Sequence, residues 1–478
     1  MLYRDVDDVS RVFASLEGTL VGVGITAFPR IIPSSFIHPY HIITKRKTRD
    51  IPLLRERAKV FCLEEETGDP LEMKNSAQLL SHPAVKSFLK TIPEPVYLLL
   101  YQSYPELEAL ARKEGWTLLA NASGLRMQVA EKAFFEDMIG KLPVNRVPGS
   151  LYPVGKIHSR DYNDWSRELG PRFVVQLPEI RQGGGRGTFF IRSPQDYERL
   201  LKRLKQGTWR GTAIRTIFVR PFIEGIPASL AICITGHGIL MSGLQRQLID
   251  LPYCNGLEED GVFCGHTWGE GEWPEPVREE SMQQGRFVGE YLAGLGYKGI
   301  LGIDFVIDSD DHRVYPLEIN PRLTGAFPVL SQIHLKHGLI PLEAFHMLEF
   351  LDISYEIDVK ELNAQYGQPM QGSHLLLFHP GGKKPMASEG LEAGIYEHDP
   401  QTGNMTLATR DCDFEKIRNE RQFMVVDGPP EGPTGPTDPL FRWCRLVFSQ
   451  PVADTQGTLS PEAMLCANRV FHRIFQQD

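Results

Sequence analysis

GILGIDFVID (299–308) and VYPLEIN (314–320), with Pro321 and Arg322 following, form the stretch that decides the fold. Two apolar runs separated by the polar segment Asp308–His312 predict an antiparallel hairpin. Each run carries one carboxylate among aliphatic and aromatic neighbours, Asp304 in the first and Glu318 in the second, with Asn320 two residues on. Ionised carboxylates are costly to bury unless a cation compensates them. Two carboxylates and an amide oxygen side by side make a hard donor set suited to magnesium, with phosphate oxygens completing the shell. Arg322 stands where a guanidinium can hold a phosphoryl group or a carboxylate through two hydrogen bonds. The plainer alternative is a hairpin whose acids pair with nearby arginines.

Upstream, FVVQL (173–177) and TFFIRS (188–193) are strands that bracket Gln182-Gly183-Gly184-Gly185-Arg186-Gly187. Glycines let successive backbone N–H groups converge on an anion. The loop has no G-K-[ST] ending and opens no helix, so it is not a Walker loop. Its length and polarity suit either a flexible hairpin or a lid over phosphates. Ser193 and Pro194 then open a helix through Lys205, as cap and first-turn proline. GLRMQVAEKAFFEDMIGKL (124–142) reads as one helix ended by Pro143, with Lys132 inside it. A lone lysine on such a helix is ordinarily solvent-facing.

Around this middle region the chain divides by texture. LVGVGI (20–25), VYLLLYQ (96–102) and WTLLANA (116–122) are strands, and PELEALARKEG is a helix between the last two, so residues 1–122 read as an α/β domain. The basic stretch Lys45–Arg49 reads as solvated surface. TAIRTIFVRPFI (212–223) and ASLAICIT (228–235) are further strands, and helices are expected over Pro276–Leu295 and 339–350. VFCGHTWGEGEWP (262–274) is either part of an acceptor pocket or a loop packing its aromatics on the core. Residues 353–478 are β-leaning with proline- and glycine-rich loops, and read as a small C-terminal domain.

At 478 residues several domains are expected. A net charge of −9 argues against a broad nucleic-acid surface. No run approaches the ~18 apolar residues of a membrane span. Seven scattered cysteines without C-x-x-C spacing indicate buried free thiols and a cytoplasmic protein.

The order of lysine, glycine loop and paired carboxylates resembles the ATP-grasp superfamily, on motifs from Asn121 to Arg322. FVVQLPEIRQGGGRGTFFI is similar to its phosphate-loop hairpin, IFVRPFIEG to its adenine-side hinge, and GIDFVID with PLEINPR to its metal-binding strands. The resemblance implies an ATP-grasp domain over 123–352, with a lid subdomain at about 145–220 and the metal hairpin at 299–322, bounded by breaks between elements. It implies ATP with Mg2+, or Mn2+ as an alternative. Lys132, Gly184, Gly185, Arg186 and Gly187 then meet the phosphates. Arg220, Pro221 and Ile223 supply the hinge. Asp304, Glu318 and Asn320 hold the metal, Arg322 the transferring phosphate and acyl group, and Gln245 lies near the phosphates. Two positions depart from the pattern. Gln176 stands where a second phosphate-binding lysine is usual, with Arg181 or Arg186 as compensation, and Pro227 falls where a ribose-binding acid is usual, leaving Glu224. The activity implied is ligation of a carboxylate to an amine through an acyl phosphate, with small-molecule substrates, no membrane partner, and a homodimer allowed. The other readings are a bicarbonate-using carboxylase and a non-catalytic, ATP-binding regulatory protein.

Overall fold

The computed structural model describes residues 3–475 apart from 69–72, 74, 181–186, 255–259, 270, 272, 379–385, 388–390, 431 and 434–441. Strands β1 (Thr19–Gly24), β2 (His41–Thr44), β3 (Lys59–Cys62), β4 (Val96–Leu99) and β5 (Thr117–Leu119) make a parallel sheet ordered β3-β2-β1-β4-β5. Parallel strands covered on both faces are near-continuous apolar runs, and β1 and β4 bury almost every residue. The strand order reverses between β1 and β4, which opens a crevice at their carboxyl ends. The helix Pro105–Glu114 stops at Gly115, whose φ of 76° is left-handed.

The lid is a second sheet. β6 (Ser150–Pro153), β7 (Phe173–Gln176), β8 (Thr188–Ile191) and β11 (Thr216–Pro221) are antiparallel in the order β6-β11-β7-β8. A two-stranded ribbon, β9 (Thr208–Trp209) with β10 (Thr212–Ala213), lies beside it in sequence. Ser193 caps the helix Pro194–Leu204 by accepting from the Asp196 N–H, as the sequence predicts.

The remaining strands, apart from a short ribbon, share one large sheet. They are β12 (Gly225–Thr235), β13 (Gly238–Met241), β14 (Gln245–Ile249), β15 (Phe263–Trp268), β16 (Gly299–Asp308), β17 (Val314–Asn320), β18 (Gly372–Phe378), β20 (Gly394–His398), β21 (Met405–Thr409), β22 (Gln422–Val426) and β24 (Arg442–Phe448). The ribbon is β19 (Met386–Ala387) with β23 (Gly432–Pro433). The main sheet runs β17-β16-β12-β14-β15-β18-β24-β22-β20-β21, with β13 on β12. The expected hairpin is present with its expected ends, and β12 pairs β16 from Gly225–Asp308 to Ile234–Gly299. The helix Glu275–Gly294 packs its apolar stripe against β12 and β13, and Leu342–Phe350 packs on β12 and β16.

Several expectations change. The single helix over 124–142 is two, Ser123–Val129 and Lys132–Lys141, because Glu131 takes an extended conformation (ψ 135°) and starts a new helix. The helix Phe327–Lys336 was not anticipated. All residues from Phe327 to His334 are buried, so no amphipathic period exists to be read. VFCGHTWGEGEWP contributes β15, and its tryptophans Trp268 and Trp273 pack in the core, as one of the two readings expected. Arg46 of the supposed surface stretch is 6% exposed and lies over the Trp443 ring. The β-rich character after residue 353 holds, but those strands extend the main sheet through the β15–β18 pairing. All seven cysteines are free and buried. Among the described residues no helix is long and apolar enough to cross a membrane.

Candidate active site

Strand register assembles the site. Gln245 of β14 lies opposite Ser229 of β12, Ser229 opposite Asp304 of β16, and Asp304 opposite Glu318 of β17. Directly opposed residues share a face, so four polar side chains form a row across four strands. After Asp304 the register shifts, with Phe305 paired to Pro316 and Leu317 left over. That extra residue is a β-bulge. Its carbonyl accepts from Arg220 Nη2 at 3.4 Å.

The row is tied down by side-chain hydrogen bonds. Gln247 Nε2 donates to Asp304 Oδ1 and Asn320 Nδ2 to Asp304 Oδ2, both at 2.8 Å. Asn320 Oδ1 in turn accepts from Arg322 Nη2 at 2.8 Å. The Arg322 guanidinium lies over Tyr101, 5.0 Å from the ring centre, just past the carboxyl end of β4. The parallel-sheet crevice therefore faces the end of the metal hairpin.

Lys132, in the first turn of its helix, reaches Glu318 Oε2 at 2.9 Å. Its side chain is 14% exposed, whereas Glu318 keeps 39%. The ordinary expectation of a surface lysine is thus reversed by the helix break before it. Desolvation lowers the Lys132 pKa, and the Glu318 charge offsets part of that. Glu318 is held well below the usual carboxylate range, first by the Lys132 charge. Desolvation and then the Glu318 charge push Asp304 well above it. Two carboxylates this close do not both ionise unless a further cation joins them. The donor set, two carboxylates with an amide oxygen, fits a hard divalent cation whose other ligands come from phosphate. No cluster of three or more His, Cys, Asp and Glu with metal-binding geometry exists among the described residues, so no all-protein cage competes with that arrangement.

The β6–β11 sheet brings a cation, Arg220, toward the carboxylate row. Gln176 of β7 is opposite Phe218 and donates through Nε2 to Thr188 Oγ1 at 3.2 Å. Its Oε1 accepts from Arg220 Nη2 at 2.9 Å. Arg220 is 5% exposed, and its Nη1 has no hydrogen-bond partner among the described residues. Desolvation lowers the Arg220 pKa, with Glu136 and Glu318 opposing it. Arg220 was expected to serve through its backbone at a hinge. Its side chain spans Gln176 and the hairpin bulge.

Other expected residues stand differently. Pro221 ends β11, and half-buried Ile223 lies in the link to β12. Glu224 is exposed and paired with Arg172. Gly187 takes φ 79° and its carbonyl accepts from Leu177 N at 2.9 Å, closing the β7–β8 loop. Arg181, Gly184, Gly185 and Arg186 lie outside the described residues. Ser229, Gln247, His266, His374 and Tyr101 were missed. The available signal was a polar residue inside an otherwise apolar strand, Ser229 in ASLAICIT and His374 in GSHLLLF.

Comparison with known proteins places the fold. Residues 179–326 match the family model of the ATP-grasp domain. A segment of 205 residues, 43% of the chain, is 23% identical to the arginine-specific large chain of carbamoyl phosphate synthase from Geobacillus stearothermophilus. The match spans only 17% of that relative's length. The fold is similar to the biotin carboxylase domain of 2-oxoglutarate carboxylase from Hydrogenobacter thermophilus, solved with MgADP and bicarbonate (TM-score 0.57, 14% identity, 91% of this chain and 87% of that one). It is also similar to carboxyaminoimidazole ribonucleotide synthase from Aspergillus clavatus, solved with ATP (TM-score 0.54, 11% identity, 95% and 99%).

Proposed function

We propose, from the premise that this chain belongs to the ATP-grasp superfamily, that it is an ATP- and Mg2+-dependent ligase joining a carboxylate to an amine. The observation that carries the proposal is the convergence of Lys132 and Arg220 on a register-locked carboxylate pair, Asp304 and Glu318. Cation-rich surroundings of two metal-ready carboxylates are what a triphosphate needs.

Asp304, Glu318 and Asn320 would hold the metal, which supplies charge neutralisation of the bridging phosphate oxygens. Lys132 and Arg220 would bind phosphate oxygens from opposite sides, and the unpartnered Nη1 of Arg220 is a donor ready for that use. Arg322, held in place by Asn320 and Tyr101, would orient the acyl substrate at the crevice of the parallel sheet. A carboxylate oxygen then attacks the γ-phosphorus and ADP leaves. The amine nitrogen attacks the acyl carbon, loses a proton and expels phosphate, giving an amide. The proposal includes residues 1–122 as the substrate-facing N-terminal domain, 123–352 as the ATP-grasp domain and 353–478 as the C-terminal domain.

The test is a phosphate-release screen with MgATP across pairs of small carboxylates and amines, products identified by mass. Release that requires both partners and yields their amide is expected. Release that depends on bicarbonate alone would replace the ligase with a carboxylase, and ATP binding without release would make the chain a nucleotide-responsive binding protein.

A further inference from the structure

A buried polar chain runs from the C-terminal strands to the carboxylate row, and its hydrogen-bond direction can be worked out atom by atom. Arg445 Nη1 lies 3.4 Å from His374 Nδ1. His374 Nε2 lies 3.0 Å from His266 Nδ1, and His266 Nε2 lies 3.3 Å from Ser229 Oγ. All four residues are 4% exposed or less. Gly265 makes this proximity possible. Its φ is 153°, and a Cβ there would stand 1.9 Å from the His374 carbonyl oxygen, so only glycine lets β15 approach β18 so closely.

A guanidinium has donors only, so His374 Nδ1 must accept. Burial and the Arg445 charge push both imidazoles far down, so each is neutral with one proton. His374 therefore carries its proton on Nε2 and donates to His266 Nδ1. His266 must then carry its proton on Nε2 and donate to Ser229 Oγ. Gln245 Nε2 also donates to Ser229 Oγ, at 2.9 Å. With two bonds accepted, the Ser229 hydroxyl proton is left to donate, on the residue that directly faces Asp304. Beside it, Gln245 Oε1 is buried and has no hydrogen-bond partner among the described residues.

We propose that Arg445, His374 and His266 are positioning residues that fix Ser229 Oγ–H as a donor to an anionic oxygen of the transferring phosphoryl group. The chain gives the strands after residue 353 a part in the chemistry: they set which atom of the row carries a proton. The inference rests on the ligase reading for the identity of the anion, while the direction of the hydrogen bonds is independent of it.

Two measurements separate these parts. Side-chain 15N NMR of the full-length, histidine-labelled protein at pH 7 should show His266 and His374 as neutral, Nε2-protonated tautomers. For turnover, phosphate release from MgATP is followed with the best pair from the screen. Ser229→Ala should lower kcat on the order of 10²-fold, the usual loss of one anion-stabilising donor, with the nucleotide Kd changed less than about threefold. His374→Phe, which keeps the ring volume, should lower kcat about 10- to 100-fold. His374→Gln places an amide N–H near the Nε2 position and should restore most of that loss. A proton on Nδ1 of either ring overturns the proposal. So does a folded, nucleotide-binding His374→Phe with unchanged kcat, or a His374→Gln as slow as His374→Phe. Nε2 tautomers in a wild-type protein that turns over no pair would support the chain's direction while removing the ligase reading.

Discussion

The metal hairpin and the lid strands carry charge in opposite ways. In the hairpin, Asp304 and Glu318 are fixed by one register, and a bulge at Leu317 adjusts the strand that carries Glu318. In the strands expected to form the lid, β7 holds neutral Gln176, and the cation beside it is Arg220 on the neighbouring strand β11. A sheet face is a two-dimensional grid, so a charge can change strands and still meet the same ligand atom. The two carboxylates lack that freedom under the proposed function, because an ion they share would need both oxygens within one coordination shell.

The largest test of this contrast is Glu318→Gln. It should cut magnesium-dependent phosphate release on the order of 10³-fold, several kcal/mol of transition-state stabilisation, with the thermal midpoint little changed. Near wild-type release would remove the hairpin from the chemistry. Next is the charge swap in the lid. Arg220→Gln should weaken ATP binding about tenfold or more, in line with loss of a charge-assisted hydrogen bond. Gln176→Lys alone should gain little, since it sets a second cation against buried Arg220. Together the two changes should recover affinity by isothermal titration, as charge returns to β7. Failure of the double variant to exceed Arg220→Gln would show that the two strands do not serve one ligand. Smallest is a comparison of buried acids. Glu343 is 5% exposed, accepts from Ser331, and burial raises it to about 7, in contrast to ion-paired Glu318. The folded state therefore keeps a proton that the unfolded chain releases above about pH 4.3. Stability is lost as pH rises from there to about 7, by at most about 1.4 kcal/mol per pH unit. Glu343→Gln should flatten that slope in denaturant titrations at pH 5, 6 and 7. An unchanged slope would mean that Glu343 is charged when folded.

The hairpin was legible because each signal was local. Its apolar runs, polar turn and two acids lie within 299–320, and register follows from the turn. Lys132 was legible only through chain order. Its burial depends on a helix break that helix-forming residues on both sides concealed. The reach of the Arg220 side chain to Gln176 and the bulge was illegible, since nothing in one strand tells which neighbour a side chain will meet. The contact that joins Ser229, His266 and His374 was illegible for the same reason: 37 residues separate the first two and 108 the last two. The helix Phe327–Lys336 escaped because burial on all sides erases the period that sequence reading depends on.

The β15–β18 ladder has a consequence for how this protein can be cut or shuffled. Composition changes near residue 353, which invites treating the remainder as a detachable cassette. A chain ending before Gly372 would strip β15 of four paired positions, from Gly265 to Trp268. It would also bare a flat row of amide and carbonyl groups against which other chains can polymerise. The seam visible in the text of the sequence has no counterpart in the weave of the sheet.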